Sequence, residues 1–470
     1  MKAGGNLLDQ SSLEAMVTSA LRMIQEIGIE TNRPDLLEKA QRLDGLTVRE
    51  NRIHVAPEVA REVIALNRMK PVLPHPEHPT ITVSNRATLI ADHHTRELRP
   101  ITRSDVITGT RLIDALCPRH VTGNSSGTPQ DTLPPLQPIE QYLIGYRYSR
   151  HGGKTPVPLT PEVEAFLLEI RAIAENDFNP NRRDFPVWIP SPLRLEGNEL
   201  DKLLDSDAEV ASFNVGSMPI MGLTGPVDPT GVMTLSLAET LGGVAILHRI
   251  FPDAESGFYP HPEPMDPRTG LMAFGTPEWN RLLLLEKEVR EFLDVPVHGK
   301  ENLTSACMPD GQAQADKMAS ICFGVANGFT RFNLFPLCAD EAWSHVQLVL
   351  DVDYVHTAWR TRLGTVDPQR AEDAFRTIAG AVRENQLPGE MEDTVRHLRE
   401  NYYASPFTRV FSSSQWDAEG KPDPLTGAEE VALELIGSAD YSPPDDPLRE
   451  IVEIYLRACR TFGGTPMQFG

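Results

Sequence analysis

Short apolar segments alternate with longer amphipathic ones along most of the chain. Residues 214–254 show the unit clearly: an apolar strand, a loop rich in Gly, Pro and Thr, and a helix that begins at a proline turn. Eight such strand–helix units follow one another between residues 81 and 361. Strands that alternate with helices predict a parallel sheet, and eight units favour a closed (β/α)₈ TIM barrel. An open, doubly wound α/β sheet is the alternative.

The segments on either side of these units lack the repeat. Ser11 and Glu14 have the spacing of a capping box, which predicts a first helix that ends at Gly28, and a second short helix follows Pro57. We therefore divide the chain into an N-terminal helical lead-in (1–80), the barrel (81–361) and a mostly helical C-terminal extension (362–470). We expect the extension to pack on the barrel or to form the contact of a homo-oligomer.

Composition narrows the functional classes. With 470 residues, 40% of them apolar, the chain can bury a large core. Lys and Arg number 44 against 66 Asp and Glu, a net charge of −22, which opposes binding to nucleic acid or anionic lipid and favours cationic substrates. The five cysteines are scattered without a C-x-x-C pair, as expected for a cytoplasmic protein. The chain starts without an apolar signal core, and no long apolar run predicts a membrane anchor.

Metal and nucleotide chemistry are not expected. His93 and His94 are adjacent, which places them on opposite faces of a strand, and neither H-E-x-x-H nor a His/Cys cluster occurs. A G-x-G-x-x-G loop or another phosphate-binding loop is also absent from the sequence. We therefore predict neither a bound metal nor a bound nucleotide.

Five sequence blocks resemble a known family. They are MIQEIGIE near the start, TGPVD with LAETLGG over 224–243, MDPRTG with FGTPE over 265–278, DGQAQADK over 310–317 and SHVQLVLD over 344–351. In order and spacing they resemble the trimethylamine methyltransferase family, in particular the branch without pyrrolysine that includes glycine betaine methyltransferases. The resemblance implies methyl transfer from a methylated amine to the cobalt of a corrinoid (cobalamin) held by a separate, cognate corrinoid protein. The chain shows no cobalamin motif of its own.

The residue content bears on the substrate. This chain contains only standard residues, so it departs from the pyrrolysine-bearing members, and trimethylamine itself is in doubt as a substrate. A quaternary amine such as glycine betaine or a related betaine fits better, because its leaving group is a neutral tertiary amine that needs no proton. The protein would then mainly position and desolvate the substrate. The alternative is a catalytically silent relative that binds a betaine-like ligand or scaffolds a partner.

Aromatic side chains near the strand ends could surround a trimethylammonium group. The candidates are Trp188, Phe258, Tyr259, Phe332 and Phe335. An aromatic residue on a strand is, however, more often part of the barrel core or a contact with a helix. Phe332 and Phe335 cannot both point inward from a regular strand, because side chains alternate between the two faces.

Polar candidates would orient the rest of the substrate. His345 begins the helix after the eighth strand and could bind a carboxylate together with Asn214, although it could also be a capping or surface histidine. His298 is a similar candidate. Asp92 could attract the cation or simply end its strand. Glu239 lies on an apolar helix, where we favour a solvated position over a buried, partnered one.

Gly222 and Gly225 belong to the loop GLTGPVDPTG. Backbone demands explain these glycines, since they permit a positive φ or a close approach of another group. Such a tight loop would also let the broad corrinoid approach the barrel mouth. No catalytic residue is assigned from the sequence.

Overall fold

The computed structural model describes residues 7–68, 76–154, 160–362, 368–390, 392–407 and 410–468. The lead-in contains three helices and a small antiparallel sheet with strand order β1-β3-β2. These elements are α1 (Gln10–Arg22), β1 (Ile29–Glu30), α2 (Pro34–Ala40), β2 (Leu46–Arg49), β3 (Arg52–Val55) and α3 (Pro57–Leu66). The helix after Pro57 is confirmed, whereas the sequence patterns did not predict the sheet.

The start of α1 differs from the prediction. Asp9 is the N-cap, and its side chain accepts a hydrogen bond from the backbone N–H of Ser12 at 2.8 Å. The predicted capping box of Ser11 and Glu14 is therefore wrong, because Asp9 already satisfies the free N–H group of the first turn. The helical segment continues as a π-helical turn and ends at Gly28, whose φ of 77° favours glycine.

The central part of the chain alternates strands and helices as predicted. Its strands are β4 (Thr80–Val83), β5 (Leu89–Asp92), β6 (Glu97–Pro100), β7 (Val121–Thr122), β8 (Arg182–Ile189), β9 (Glu209–Ser217), β10 (Ile220–Met221), β11 (Glu255–Pro260), β12 (Glu263–Pro264), β13 (Lys300–Asn302), β14 (Arg331–Leu334) and β15 (Ala342–Trp343). Its helices are α4 (Arg103–Ala115), α5 (Gln137–Tyr148), α6 (Pro161–Ala174), α7 (Asn198–Leu204), α8 (Pro229–Ile250), α9 (Pro277–Phe292), α10 (Gly311–Ala326), α11 (Leu337–Asp340) and α12 (His345–Arg360).

Two parallel sheets form the centre, one with strand order β8-β9-β11 and one with order β7-β4-β14-β13. Within the described residues no hydrogen-bonded pairing joins them, so the predicted closed barrel is not found there. Most of the predicted third strand, at 155–160, lies outside the described residues. The predicted first strand is in fact two strands, because β4 belongs to a central sheet whereas β5 pairs with β6 and β15.

The register of the strands separates two faces of each sheet. Lys300, Phe332, Ile81 and Val121 form one row across β13, β14, β4 and β7, and all are buried. This row faces the helices, since Phe332 contacts Trp359 of α12 edge to face. Side chains alternate along a strand, so the next row, which begins at Glu301, points to the opposite face.

Helix α8 is the most buried helix of the central part. It begins at Pro229 after the N-cap Asp228, as the proline turn predicts, and its apolar surface contacts both β9 and the lead-in. Its length and composition would allow it to cross a membrane, but 89% of its apolar window is buried inside the protein. The helix is therefore accounted for as a core element.

The C-terminal extension is helical in its described parts. Helices α16 and α17 pack their apolar sides on the central helices and share one hydrophobic cluster with them. Helix α13 instead leaves Phe375, Ile378 and Val382 exposed. The helices of the extension are α13 (Pro368–Glu384), α14 (Glu392–Asn401), α15 (Ser413–Ala418), α16 (Pro424–Ser438) and α17 (Asp445–Phe462).

Candidate active site

A cavity of about 480 Å³ lies between the two parallel sheets. Its wall takes residues from β4 and β14 of one sheet and from β8, β9 and β11 of the other, so side chains of both sheets converge on one space. Aromatic and polar groups share the lining, which is typical of a site for a small organic ligand. The lining residues are Thr82, Pro186, Trp188, Asn214, Gly216, Phe258, Tyr259, His298, Gly299, Arg331 and Asn333.

The structure brings together several residues that the sequence singled out. Trp188, Asn214, Tyr259 and His298 all line the cavity, and Phe258 contributes to its wall. Their convergence follows from register, because Gly216 of β9 lies opposite Trp188 of β8 on one side and Tyr259 of β11 on the other. A side chain at Gly216 would collide with the Trp188 ring, with a Cβ only 2.6 Å from it.

Tyr259 is the centre of an aromatic group. Its ring meets Trp188 edge to face at 5.5 Å and His298 at 4.1 Å, and it stacks on His261 at 4.8 Å. The guanidinium of Arg290 also lies 5.6 Å from the Tyr259 ring. Because protein groups already cover much of Tyr259, Trp188 offers the more accessible aromatic surface for a ligand cation.

A buried cluster of charged groups adjoins this aromatic group. We call Tyr259, His261, Glu286, Arg290 and Glu301 the acid–histidine cluster. His261 Nδ1 lies 3.1 Å from Glu286 and its Nε2 3.2 Å from Glu301. The Tyr259 hydroxyl donates to Glu301 at 2.8 Å, and Arg290 Nε donates to Glu286 at 2.9 Å. Strand β11, strand β13 and helix α9 thus fix one network.

The charge states of this cluster follow from its geometry. Burial alone would lower the pKa of His261, but the carboxylates of Glu301 and Glu286 raise that pKa well above its ordinary value. Burial would raise the pKa of Glu286 and Glu301, but the contacts with His261 keep both pKa values below the ordinary one. Two carboxylates therefore face one imidazolium and one guanidinium, and the cluster is electrically balanced.

Glu263 stands next to this balanced cluster. It follows β11 by three residues, is 2% exposed, and its Oε2 has no hydrogen-bond partner among the described residues. Burial raises the pKa of Glu263 to about 7, with Glu301 adding to the rise and His261 opposing it. A buried carboxyl group that lacks a partner and titrates near neutral pH is typical of a functional site.

Asp340 is a second acid with a perturbed pKa near Glu301. It accepts a hydrogen bond from the Ser84 hydroxyl at 2.8 Å, and burial raises its pKa to about 6. Cys338, Ala339 and Asp340 have φ values of 54°, 57° and 79°, an uncommon left-handed run for non-glycine residues. This strained turn follows β14, so it holds Asp340 at the carboxyl end of the strands.

His345 is not brought to the cavity. It begins α12 after the N-cap Ser344, and its ring contacts Trp343 edge to face at 5.9 Å. Burial lowers the pKa of His345 to about 4, and the nearest charged influences on it are Asp105 and Glu429. Of the predicted pair of His345 and Asn214, only Asn214 lines the cavity, so the structure does not bring the two residues together there.

Phe332 of β14 and Phe335, which directly follows this strand, lie apart from the cavity lining. Phe332 points into the helix-facing core, so its prediction as a cage residue is wrong. Phe335 packs beside the cluster of Phe274 and Trp279 above the strand ends. The expected alternation explains why the two side chains cannot share one wall.

Glu239 and Asp92, the two acids predicted as site residues, are both held by hydrogen bonds within the fold. Glu239 is fully buried and accepts hydrogen bonds from the Ser191 hydroxyl and the Leu193 backbone N–H, at 2.8 and 2.9 Å. The preference for a solvated Glu239 is therefore wrong, and burial raises its pKa to about 7. Asp92 is exposed and accepts from the backbone N–H groups of His94 and Thr95, so it ends its strand rather than reaching the cavity.

The loop with Gly222 and Gly225 lies at the carboxyl ends of the strands. Strand β10 within it pairs with β12, which places Ile220 opposite Glu263. Gly222 has a φ of 84°, which confirms the backbone explanation of this glycine. This loop and the segment 265–276 expose five large apolar side chains, which we call the apolar collar: Met218, Leu223, Val227, Leu271 and Met272.

The two adjacent histidines are not separated as predicted. They lie in the turn after β5, not in the strand itself, and their rings are 4.0 Å apart. The predicted placement of His93 and His94 on opposite strand faces is wrong, because strand alternation ends at Asp92.

Sequence reasoning missed the residues with the most perturbed chemistry. His261, Glu263 and Glu301 lie within or shortly after apolar strands. This position was the one signal in the sequence that could have marked them as candidates. Glu286 lies within the helix sequence LLLLEKEVREF, and several charged residues follow one another there. The sequence does not show which of these charged side chains is buried. Only the folded chain shows that α9 carries Glu286 to His261.

Comparisons with known proteins agree with the sequence blocks. The family described as trimethylamine methyltransferase (MTTB) matches residues 186–459. A glycine betaine methyltransferase of Desulfitobacterium hafniense is 21% identical over 463 residues, 93% of each chain. The trimethylamine methyltransferase MttB1 of Methanosarcina mazei is 24% identical over 281 residues, 58% of this chain and 55% of that protein. The solved structure of Methanosarcina barkeri monomethylamine methyltransferase (MtmB) aligns with 94% of this chain and 90% of its own, at a TM-score of 0.43 and 11% identity.

The family match extends over more than half of the chain and includes the strands that carry Trp188, Tyr259 and Glu301. The resemblance predicted from the sequence blocks is thereby confirmed. The chain belongs to the trimethylamine methyltransferase family and is a methyltransferase.

Proposed function

We propose that this methyltransferase takes a methyl group from a quaternary amine, glycine betaine or a related betaine, and passes it to the Co(I) of a corrinoid on a separate protein. The observation that carries the substrate class is the unpartnered buried carboxyl group of Glu263 beside an electrically balanced cluster. Once Glu263 ionises, it adds a negative charge that no ion pair within the described residues compensates. A permanently charged ammonium group is the complementary ligand.

The cavity also supports a substrate with two opposite charges. Arg331 is the first residue of β14, at the amino end of the strands, and Asn333 follows it in the cavity wall. Glu263 and Asp340 do not line the cavity itself; they lie toward the carboxyl ends of the strands, near Glu301. A betaine would therefore place its carboxylate toward Arg331 and Asn333, and its trimethylammonium group toward the acids and Trp188.

This orientation suits the reaction. The corrinoid would supply the nucleophilic cobalt, which removes a methyl group as the C–N bond breaks and the electron pair stays on nitrogen. The leaving amine is neutral, so the chain has no proton to deliver. Its residues hold the ammonium group near the carboxyl ends of the strands, orient the carboxylate and exclude water.

The apolar collar supports a protein partner at the same end. Its side chains lie on loops that follow β9 and β11, and Leu223 and Leu271 are among the exposed residues. Exposed apolar groups on adjacent loops are typical of an interaction surface. We propose that the cognate corrinoid protein docks there, next to the Gly222 loop, and brings its cofactor to the cavity.

Further parts of the proposal concern architecture. We propose that the two sheets belong to one closed barrel. Strand β4, from the first predicted unit, pairs with β14, from the eighth, as closure of a barrel requires, and one cavity takes residues from both sheets. We keep the three-part division of the chain, and a cytoplasmic location accords with the chemistry of Co(I). The exposed apolar face of α13, with Phe375 and Val382, supports a homo-oligomer.

The pH dependence of binding tests the proposed substrate class. Since the pKa of Glu263 is raised to about 7, a cation must displace a proton from it below that pH. We expect the affinity for glycine betaine to fall as pH drops below 7, by up to about tenfold per unit, and to level off above it. The measurement is calorimetric titration between about pH 5.5 and pH 8.5.

The control ligand is tert-butylacetate, which has the shape and carboxylate of glycine betaine but carbon in place of nitrogen. It should bind more weakly, and its affinity should not increase with pH. A pH-independent affinity for glycine betaine, or equal binding of the two ligands at pH 8, would contradict the role of Glu263.

A further inference from the structure

We propose that His93, His94 and Glu429 form a binding site for a divalent transition-metal ion, zinc above all. The two histidines belong to the turn between β5 and β6, whereas Glu429 lies on α16 of the C-terminal extension. The ligands therefore come from two distant parts of the chain, and this site is separate from the cavity and from the acid–histidine cluster.

The distances fit one ion. The ligand atoms of all three residues lie within 4.8 Å of one another. Glu429 Oε2 is 2.9 Å from His94 Nε2 and 3.8 Å from His93 Nε2. Tetrahedral zinc with nitrogen and oxygen ligands separates neighbouring ligand atoms by about 3.3 Å. The observed distances lie on both sides of that value, so small side-chain rotations bring all three atoms to bonding distance.

The ligand atoms are available. His93 is 13% exposed, yet its Nε2 is buried and has no hydrogen-bond partner among the described residues. A buried ring nitrogen without a partner costs free energy, and a metal bond would remove that cost. Within the described part of the chain, Glu429 makes ion pairs only with these two histidines, so no lysine or arginine there competes for it.

The donor set selects the kind of ion. Two imidazoles and one carboxylate suit zinc and its neighbours, whereas calcium and magnesium prefer oxygen ligands alone. His94 is 62% exposed, which leaves the fourth coordination position open to water. The bound ion would tie α16 to the hairpin of β5 and β6, which also pairs with β15. Zinc should therefore stabilise the folded chain by mass action.

The test uses the full chain after treatment with a chelator and removal of any affinity tag. Calorimetric titration with zinc chloride should show one ion per chain, and Co(II) should give visible absorption bands of a four-coordinate site. Replacing both histidines, His93→Ala with His94→Ala, should weaken zinc binding by at least about 100-fold, because loss of even a supporting group around a metal costs 10–100-fold.

Two further variants guard against loss of the fold. Glu429→Gln keeps the shape of the side chain but removes its charge, so it should also weaken zinc binding. Adding zinc should then raise the thermal unfolding midpoint of this variant by less than that of the wild type. His54→Ala removes a half-buried histidine of β3 in the lead-in and should leave zinc binding unchanged. Equal zinc affinity in the wild type and the double variant, or no saturable zinc binding by the wild type, would overturn the proposal.

Discussion

Replacing Glu263 by Gln is expected to weaken glycine betaine binding at pH 8 by about 100-fold, roughly 2.7 kcal/mol. The substitution removes the negative charge of Glu263, which no ion pair within the described residues compensates, and keeps the shape of the side chain. Opposite unit charges about 4 Å apart in a partly polar interior attract by roughly 4 kcal/mol, which sets the scale of the loss. The affinity for tert-butylacetate should change little. Calorimetry on both ligands gives the comparison.

The same substitution should make the protein more stable. The folded-state pKa of Glu263 is raised from 4.5 to about 7, so the contribution of Glu263 to stability is fully present below pH 4.5 and is lost as pH rises through 7. Gln does not ionise and avoids this loss. At pH 8 the free energy of unfolding of the Glu263→Gln variant should therefore be higher by on the order of 3 kcal/mol. The measurement is the shift of its urea unfolding curve to higher urea concentration. Weaker binding together with lower stability would contradict this account, because it would indicate a damaged fold.

Replacing Lys317 by Met is expected to destabilise the protein by about 3–5 kcal/mol. Lys317 is fully buried on α10, and its ammonium group lies 2.7 Å from Asp351 of α12 and donates to the Phe335 carbonyl at 2.6 Å. Without Lys317, the buried Asp351 keeps only the amide of Gln347 as a partner among the described residues. The measurement is the shift of the urea unfolding curve.

Two variants separate this pair from ordinary surface charges. Lys317→Met combined with Asp351→Leu removes both charges and should recover most of the lost stability. Arg22→Met breaks an exposed ion pair with Glu26 on the first helical segment and should leave the urea unfolding curve nearly unchanged. A loss below about 1 kcal/mol for Lys317→Met would show that Asp351 finds another partner or takes up a proton.

Local patterns were enough to predict most of the elements. The proline turns that start α3 and α8, and the apolar strand around Val215, are found where expected. These features depend on neighbouring residues, so the sequence displays them directly. The small sheet of the lead-in was missed because β1 has only two residues. Its pairing with β3 joins residues that are more than twenty positions apart in the sequence, so no local pattern displays it.

The site was predicted only in part. Trp188, Asn214 and Tyr259 were chosen because they lie on strands, and register then brought them to one cavity. Glu263 and His261 were missed because their importance lies in burial and in contacts from α9 and β13, which no local pattern reveals. His345 was misplaced because its position at a helix start does not show which way the helix faces.

The proposed reaction is methyl transfer from a quaternary amine to Co(I). The most direct measurement is anaerobic mixing of the purified chain with free cob(I)alamin and a panel of quaternary amines, following the loss of Co(I) absorbance. Glycine betaine or a related betaine should consume Co(I) only when the chain is present. If calorimetry detects binding but no amine consumes Co(I), with either free cobalamin or the cognate corrinoid protein, the chain is a ligand-binding relative and the claim is wrong.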